Sequence, residues 1–433
     1  MILAIQGSPT LLTRACALCN SACDEVFPPS HDCWSQLKAQ KKHRISRETA
    51  GSSARVRQSQ CSKTMRQGDT SVDQIRILRD GAQAFPAMLG LIAQAREEVL
   101  FENFIFAGDH TGQLFAGALS TAARRGVRVQ VLYDPVGTLM VKGGSIARVL
   151  KSDGVDARAF RPLSVRSPWT LWRLRHRDHR KSLIVDGRVC VVGGLCISDN
   201  WSSASQGGHG WRDTALQVEG PVAQQVRKEF DAMWRDRHDD RTIDFPAALN
   251  DSSHAAAYVL ADQPGASRTE HVYSWLARHA AHQLDIADAY LLMPSAVRTS
   301  LVEASRRGVR VRVLTPQHNN HLVTAAAARA GYQGLLDAGI ELYEWRGTMM
   351  HAKTAVMDKR VSLVGSSNLD PLSMRRNYEL NLLVTDPAIG TQMQRMFEDD
   401  THESTPIRPS TWRQRPSWLR VAEGAASLLA PEL

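Results

Sequence analysis

Two short stretches of the sequence place a histidine and a lysine two residues apart, each at the head of an otherwise apolar run. The pairs are His179 with Lys181 and His351 with Lys353. In an extended strand, residues i and i+2 point to the same face, about 7 Å apart. Each imidazole is therefore predicted to share one face of a strand with an ammonium group.

An aspartate follows each pair at the same offset, as Asp186 and Asp358. Asp186 precedes a glycine, and Asp-Gly is typical of a tight hairpin turn, so each stretch is predicted to form a strand, a turn and a second strand. At the turns the two aspartates are better placed to hold the hairpins than to contact substrate. One such pattern could arise by chance, but two copies that match as far as Gly193 and Gly365 indicate a common site.

Two imidazoles beside two ammonium groups suit the exchange of a phosphodiester. The lysines would offset the charge on the phosphate oxygens. One neutral histidine would attack phosphorus while the other protonates the leaving alkoxide, and water or a second alcohol would then cleave the covalent phosphohistidine. This scheme requires no metal ion and no organic cofactor.

The chain around the two stretches is itself repeated, which predicts two related α/β halves. The strand-like segments IRILRDG, VLFENFIF and ARRGVRVQVLYD precede the first stretch, and AYVLADQ, LDIADAYLLM and SRRGVRVRVLTP precede the second. In each copy a helix is predicted to end at Gly126 or Gly308, before an alternating Val/Arg strand. The predicted organisation is an extension over 1–71, a first half over 72–235, a linker over 236–254, a second half over 255–401 and an amphipathic tail over 402–433.

Five of the seven cysteines lie in the extension, which has no sustained period and is predicted to be mostly disordered. Thiolate and imidazole ligands could hold zinc there, but one pair is too tightly spaced for a usual zinc knuckle, and unstructured thiols are the favoured interpretation. An odd total argues against a closed disulfide framework and favours a reducing compartment. The possible zinc ligands are Cys16, Cys19, Cys23, His31 and Cys33.

The composition favours an anionic partner. The formal net charge of the chain is +9, and a basic protein of this kind suits either nucleic acid or an acidic membrane surface. No stretch approaches the roughly 18 uncharged apolar residues of a spanning helix, and the first residues lack the basic start of a secretory signal. We therefore expect a soluble or peripherally attached protein.

The paired motifs and their surroundings resemble the phospholipase D superfamily, in particular its bacterial cardiolipin synthase branch. The resemblance covers residues 74–430 and is carried by DHRKSLIVDGRVCVVGG, HGWRDTALQVEGPVAQQVRKEFDAMW and MHAKTAVMDKRVSLVGSSNLDPLSMRRNYELNLLV. It implies an α/β fold of two homologous α-β-α sandwich halves, related by a pseudo-twofold axis with the active site at their interface. The catalytic residues that it implies are His179, Lys181, Asp186, His351, Lys353 and Asp358.

The same resemblance assigns supporting roles to four further residues. Ser366 and Asn368 would line the phosphate site, and Glu379 would orient a catalytic histidine, with Asp213 as its counterpart in the first half. A carboxylate behind an imidazole fixes its tautomer and stabilises its cation. The spacing does not settle which histidine attacks; the better understood members of the superfamily favour His179 as the nucleophile and His351 as the acid.

The first half departs from the family pattern at two positions. Gly194 stands where the second half has Ser366, and Cys196 stands where it has Asn368. A thiol is a poorer hydrogen-bond donor than an amide, so we expect weaker support for phosphate on that side.

The resemblance implies a transphosphatidylase that acts on an anionic phospholipid, phosphatidylglycerol, at the cell membrane, attached peripherally on the cytoplasmic side. Two segments that mix tryptophan with arginine suit a lipid headgroup interface, although the same residues suit stacking on single-stranded nucleic acid or packing under a loop. They contain Trp169, Trp172, Trp412 and Trp418. A hydrolytic phospholipase D, a nuclease and a catalytically impaired phosphate-binding scaffold remain the alternatives.

Overall fold

The computed structural model describes residues 73–140, 146–162, 176–236 and 257–429. The predictions made for the extension over 1–71, for its cysteine cluster, for the linker beyond residue 236 and for Trp169 and Trp172 lie outside these residues. The fold below concerns the described residues alone.

The first half is built on a seven-stranded mixed sheet with the order β1-β7-β6-β5-β2-β3-β4. Its strands β2, β3 and β4 are parallel to one another, and the remaining neighbours pair antiparallel. The strands are β1 (Gln74–Arg79), β2 (Glu98–Asn103), β3 (Arg128–Tyr133), β4 (Asp156–Ala159), β5 (Lys181–Val185), β6 (Val189–Gly193) and β7 (Thr214–Glu219).

The second half repeats this order in an eight-stranded sheet, β15-β11-β10-β9-β12-β13-β14-β8. Its first seven strands in chain order match those of the first half one for one, and β15 adds an antiparallel edge strand. The strands are β8 (Ala257–Asp262), β9 (Gln283–Ala287), β10 (Arg310–Pro316), β11 (Glu341–Trp345), β12 (Thr354–Met357), β13 (Val361–Gly365), β14 (Glu379–Val384) and β15 (Ser404–Ile407).

Helices cover the sheets and connect their parallel strands. Those of the first half are α1 (Asp80–Gln94), α2 (His110–Arg124), α3 (Pro135–Met140), α4 (Ile146–Ser152) and α5 (Pro221–Trp234). Those of the second half are α6 (Arg268–His279), α7 (Ser295–Arg306), α8 (Leu322–Ala330), α9 (Tyr332–Asp337), α10 (Pro371–Arg375), α11 (Pro387–His402), α12 (Pro409–Arg413) and α13 (Ser417–Ser427). Within the described residues none of them has the length and apolar character needed to cross a bilayer.

Local sequence signals account for the helix ends in both copies. Asp109 caps α2 by accepting the backbone N–H of Gly112, as expected for an acidic residue at a helix start. After α2 and α7 the chain turns at Gly126 (φ 89°) and Gly308 (φ 91°), a left-handed conformation that glycine adopts without strain. The predicted βα repeat with these two glycines is therefore confirmed.

One apolar core joins the two halves. Side chains from the inner faces of both sheets form it, together with α5 and α11, and it includes Leu100, Val218, Val259 and Leu382. Every residue of β5 and β13 is buried, because each sheet is covered on both faces. The predicted fold of two α-β-α halves is confirmed, and the shared core fixes the halves against each other.

The second half extends beyond the predicted boundary at residue 401. Strand β15 pairs with β11, and Trp412 is buried and stacks on Tyr332 with ring centroids 5.3 Å apart. The beginning of the predicted tail is therefore part of the second half.

Candidate active site

Backbone hydrogen bonds between the halves bring the two histidines to one site. The N–H of His179 donates to Tyr378 O at 3.0 Å, and the N–H of His351 donates to Arg212 O at 2.7 Å. Tyr378 immediately precedes Glu379, and Arg212 immediately precedes Asp213. Each histidine therefore lies beside the acid-bearing strand of the opposite half.

The two carboxylates cross between the halves. His179 Nδ1 lies 2.9 Å from Glu379 Oε1 and 3.0 Å from Oε2, and His351 Nδ1 lies 2.8 Å from Asp213 Oδ2. When Glu379 and Asp213 are ionised they can only accept a hydrogen bond, so the Nδ1 that faces each of them then carries the proton and Nε2 keeps its lone pair. Lys353 Nζ also lies 2.9 Å from His351 Nδ1. The acid of one half thus orients the imidazole of the other.

Different groups hold the two acids in place. The indole N–H of Trp201 donates to Asp213 Oδ2 at 2.8 Å. Ser366 Oγ donates to Glu379 Oε2 at 2.5 Å and accepts the backbone N–H of Leu380 at 2.9 Å. The hydroxyl of Ser366 is thus engaged behind His179, whereas the sequence predicts it in the lining of the phosphate site.

The shorter acid of the first half, Asp213, explains why residue 194 is a glycine. Asp213 and Glu379 occupy equivalent register positions, because Gly193 pairs with Ala215 as Gly365 pairs with Asn381. A Cβ at residue 194 would lie 2.3 Å from Asp213 Oδ1. The carboxylate of an aspartate stays close to its own strand, and it occupies the space that the Ser366 side chain takes in the second half.

Both lysines are buried without a carboxylate partner. Lys181 is 3% exposed and Lys353 is 2% exposed, and their ammonium groups donate to the carbonyl oxygens of His179 and His351. In the described part of the chain no carboxylate lies within ion-pair distance of either ammonium group. The carboxylates of Asp213 and Asp288 act on Lys353 from a greater distance, and both lysines act on Glu379. Because no carboxylate bonds either ammonium group directly, both remain available to an anionic ligand.

The same charges act on both imidazoles. Burial, and then the positive charges of Lys181 and Lys353, hold the pKa of His179 well below its usual value. Burial and Lys353 lower the pKa of His351 to about 3, although Asp213 opposes the shift. Each lysine acts on the histidines of both halves. Both rings are neutral at neutral pH, as a nitrogen nucleophile requires.

The two acids differ in charge state. Burial raises the pKa of Glu379 to about 7. Burial would also raise the pKa of Asp213, but its hydrogen bond with His351, the charge of Lys353 and the Trp201 N–H together lower it. Asp213 is therefore ionised throughout the neutral range, while Glu379 titrates within it.

Aromatic rings that the motifs do not contain form the walls of the site. The Phe104 ring meets His179 edge to face at 5.0 Å. Around His351, the centroid distances are 5.0 Å to Trp201, 5.8 Å to Trp211 and 6.3 Å to Tyr290. Sequence reasoning missed all four residues, since single aromatic residues outside the motifs carry no spacing signal.

Asp186 and Asp358, which the family resemblance places among the catalytic residues, hold the hairpin turns. Asp186 accepts the backbone N–H groups of Arg96, Glu97 and Glu98, and Asp358 accepts those of Ala281, His282 and Gln283, where β9 begins. Each aspartate follows the last residue of its strand, so Asp186 lies about 16 Å along the chain from Lys181. These carboxylates secure the hairpins, as their position at the turns suggests.

Asp358→Ala is expected to lower the free energy of unfolding by about 1–3 kcal/mol, because three backbone donors lose a charged acceptor. The midpoint of urea denaturation measures the effect. Asp358→Asn is the control, since asparagine keeps one acceptor oxygen and tolerates the positive φ of 50° at this turn. An alanine variant as stable as the original chain would contradict the assigned role.

Cys196 and Asn368 occupy equivalent positions in the two halves. Cys196 is buried, and burial raises the pKa of its thiol, so the sulfur is a neutral thiol. Asn368 Nδ2 donates to Ser373 Oγ at 3.3 Å, and its Oδ1 has no partner among the described residues. The amide is therefore held at one end only.

Among the described residues no group of three or more histidines, cysteines, aspartates or glutamates is arranged to hold a metal ion. The four-residue centre of His179, His351, Lys181 and Lys353 instead has the cationic and nucleophilic groups that a phosphodiester needs.

Comparison with known proteins identifies relatives over most of this chain. A family model described as "Cardiolipin synthase, PLD-like domain" matches residues 88–234 and again 276–401. A probable cardiolipin synthase of Bacillus subtilis, YwiE, is 29% identical over 360 residues, which are 82% of this chain and 71% of that protein. Cardiolipin synthase 1 of Staphylococcus epidermidis is 27% identical over 371 residues, 84% of this chain and 75% of that protein.

Solved structures share the fold at lower identity. Phosphatidylserine synthase of Haemophilus influenzae superposes with a TM-score of 0.65 at 15% identity, covering 83% of this chain and 95% of that one. Polyphosphate kinase of Porphyromonas gingivalis does so with a TM-score of 0.54 at 12% identity, covering 78% of this chain and 49% of that one. These likenesses show the fold alone.

Proposed function

Because this chain belongs to the family of cardiolipin synthases with phospholipase D-like domains, we propose that it is a phosphatidyltransferase that makes cardiolipin. It would move the phosphatidyl group of one phosphatidylglycerol to the terminal hydroxyl of another and release glycerol. The observation that carries this proposal is the pair of buried, unpaired ammonium groups beside two carboxylate-bound imidazoles. A phosphodiester supplies the oxygen atoms that these ammonium groups can bind directly.

In the first step, Nε2 of His179 attacks phosphorus. A phosphorus–nitrogen bond forms, and the bond from phosphorus to the glycerol headgroup oxygen breaks. His351 protonates the leaving oxygen through its Nε2, and Lys181 and Lys353 offset the charge that builds on the phosphate oxygens. The negative charge of the bound substrate raises the pKa of His351, so that this ring takes up its proton when substrate binds.

In the second step, the hydroxyl group of another phosphatidylglycerol attacks the phosphohistidine. His351, now neutral, removes the proton of this hydroxyl as the new phosphorus–oxygen bond forms and the bond to His179 breaks. Cardiolipin leaves, and both imidazoles return to their starting states. Glu379 and Asp213 keep the two rings in orientation and stabilise each imidazolium form.

The test of the activity uses two substrates in parallel. The protein is incubated with vesicles of labelled phosphatidylglycerol and, separately, with single- and double-stranded DNA. Labelled cardiolipin and free glycerol in equal amounts would support the proposal. Cleavage of DNA without cardiolipin would point to a nuclease, and phosphatidic acid without cardiolipin would point to a hydrolase.

We also propose that the substrate is reached from the membrane surface, by peripheral attachment on the cytoplasmic side. The basic balance of the chain, +9 overall, supports contact with anionic lipids. Fractionation of cells that produce the protein tests this location. Extraction from the membrane fraction by high salt or alkaline carbonate is the expected result.

The kcat for transfer, which reports the enzyme with substrate bound and His351 protonated, is expected to be highest between about pH 7 and about pH 8. Burial raises the pKa of Glu379 to about 7, so its carboxylate ionises above that value and can then accept the Nδ1 proton of His179. Burial lowers the pKa of Lys353 to about 8, so its positive charge is lost above that value. Activity should therefore rise through the first pKa and fall through the second.

The pH–rate profiles of two variants test whether Glu379 sets the acidic limb and Lys353 sets the alkaline limb. Glu379→Gln should lose the acidic limb, and Lys353→Arg should lose the alkaline limb, because a guanidinium stays protonated. A profile of the original chain that is flat from about pH 6 to about pH 9 would show that neither group limits the reaction.

A further inference from the structure

Helix α13 turns an apolar stripe toward solvent. Trp418, Val421 and Leu428 lie three to seven residues apart on one face and are 69%, 72% and 80% exposed. The opposite face carries Glu423, which is 2% exposed and accepts a hydrogen bond from Arg415 at 2.6 Å. A soluble helix normally buries its apolar stripe and exposes its charges, so this arrangement is reversed.

The neighbouring helix carries two further exposed apolar residues. Helix α13 packs along α8, and the first turn of α8 exposes Leu322 (79%) and Val323 (48%). Exposed apolar groups on two packed helices are typical of contact with a partner or a membrane. We call this surface the α8–α13 patch; it consists of Leu322, Val323, Trp418, Val421, Leu428 and Leu429.

The patch adjoins the entrance to the candidate active site. Leu322 follows His321, whose ring lies 5.5 Å from that of Tyr290, and the Tyr290 ring lies 6.3 Å from that of His351. Two ring contacts thus separate the start of the patch from the catalytic acid. A bilayer that bound the patch would therefore lie close to the candidate active site.

Charge around the patch is complementary to an anionic surface. The two segments that form it, 317–330 and 412–429, contain four arginines. Arg329, Arg413 and Arg415 pair with Glu344, Asp337 and Glu423, so Arg420 supplies the positive charge that is left for a partner. Arg420 is exposed on α13 itself. Tryptophan beside arginine is typical of residues at the headgroup level of a bilayer.

We propose that the α8–α13 patch inserts into the surface of an anionic phospholipid bilayer and seats the active-site entrance against the lipid headgroups. The proposal rests on the proposed function in one respect, since a lipid substrate gives this seating its purpose. Helix α13 would lie in the plane of the interface, with its apolar stripe among the acyl chains and Arg420 at the phosphates.

The test compares two double variants with the same change in charge. Val421→Asp with Leu428→Asp alters the patch, and Leu114→Asp with Val149→Asp alters exposed apolar positions in the first half, which are 50% and 47% exposed. Flotation with vesicles of phosphatidylcholine and phosphatidylglycerol measures binding. The patch variant should bind at least tenfold more weakly than the original chain, because two apolar side chains no longer enter the bilayer. The control variant should lose less than threefold.

A second measurement separates this proposal from the proposed function. Cardiolipin formation is assayed on a short-chain phosphatidylglycerol below its micellar concentration, where no bilayer exists, and the patch variant should keep the rate of the original chain. If the original chain bound vesicles but made no cardiolipin, the proposed function would fail while the seating surface stood. If the patch variant bound vesicles as well as the control variant, the seating surface would be wrong.

Sedimentation equilibrium tests the alternative that a second copy of the chain, and not a bilayer, covers the patch. The original chain and the patch variant should show the same mass in solution. A dimer that the patch variant splits, with vesicle binding unchanged, would make the patch a subunit interface and overturn the proposal.

Discussion

His179→Ala is expected to abolish cardiolipin formation, with a loss of about 10⁴-fold or more, because the chain then lacks the atom that forms the bond to phosphorus. His351→Ala is expected to cost about 10²- to 10⁴-fold, the usual contribution of a positioned acid and base. The two rings serve one phosphorus atom, so neither half should retain an independent activity. Mass-spectrometric quantification of cardiolipin measures both losses.

A phosphatidyl donor with a good leaving group distinguishes the nucleophile from the acid. Phosphatidyl-p-nitrophenol releases a phenolate that needs no proton, so His351→Ala should still give a burst of p-nitrophenol while His179→Ala gives none. The reverse result would exchange the assignments of nucleophile and acid. His402→Ala, at an exposed histidine at the end of α11, is the control and should keep the original rate. Mixing the two single variants should restore no activity, because each chain still lacks one of the two rings.

The sequence predicts the strand pairs and the repeat because both depend on local spacing. His179 and Lys181 share a strand face through the two-residue period of a β-strand, and the matched offsets of the second pair follow from the duplicated half. The same local reasoning places Asp186 and Asp358 at turns. The structure then gives the reason for those aspartates, since each accepts three backbone N–H groups where a neighbouring strand of its sheet begins.

The crossing of the carboxylates could not be predicted in the same way. Asp213 and Glu379 are recognisable as equivalent acids, but which imidazole each one meets depends on how the halves pack. Their shared core sets this packing, and a core formed by both sheets has no signature in either half alone. Trp201 was missed for a related reason, because its partner Asp213 becomes its neighbour only after the chain turns back.

The asymmetry between the halves follows from one methylene group. Glutamate reaches farther from its strand than aspartate does, so Glu379 leaves room for Ser366 and is held by its hydroxyl. Asp213 stays close to its strand, requires glycine at position 194 and is held by Trp201 instead. Gly194 therefore accompanies an acid that is supported differently from Glu379.

Asp213→Asn is expected to lower kcat by about 10²- to 10⁴-fold with little change in KM, because an amide at this position favours the wrong tautomer of His351. Glu379→Gln should have the same effect through His179. Loss of the low-field proton NMR signal of the histidine Nδ1–H would show that the orientation of the ring, and not the fold, is altered. The midpoint temperature of thermal unfolding should be unchanged in both variants.

Gly194→Ala is expected to cost nearly as much as Asp213→Asn although it removes no functional group. The added Cβ would lie 2.3 Å from Asp213 Oδ1, so the carboxylate must move away from His351 Nδ1. Gly117→Ala is the matched control, since a Cβ at that helical glycine meets nothing within 4 Å. If Gly194→Ala retained the original kcat, the Asp213 carboxylate would not need its present position, and the crossed orientation of the two imidazoles would not govern the rate.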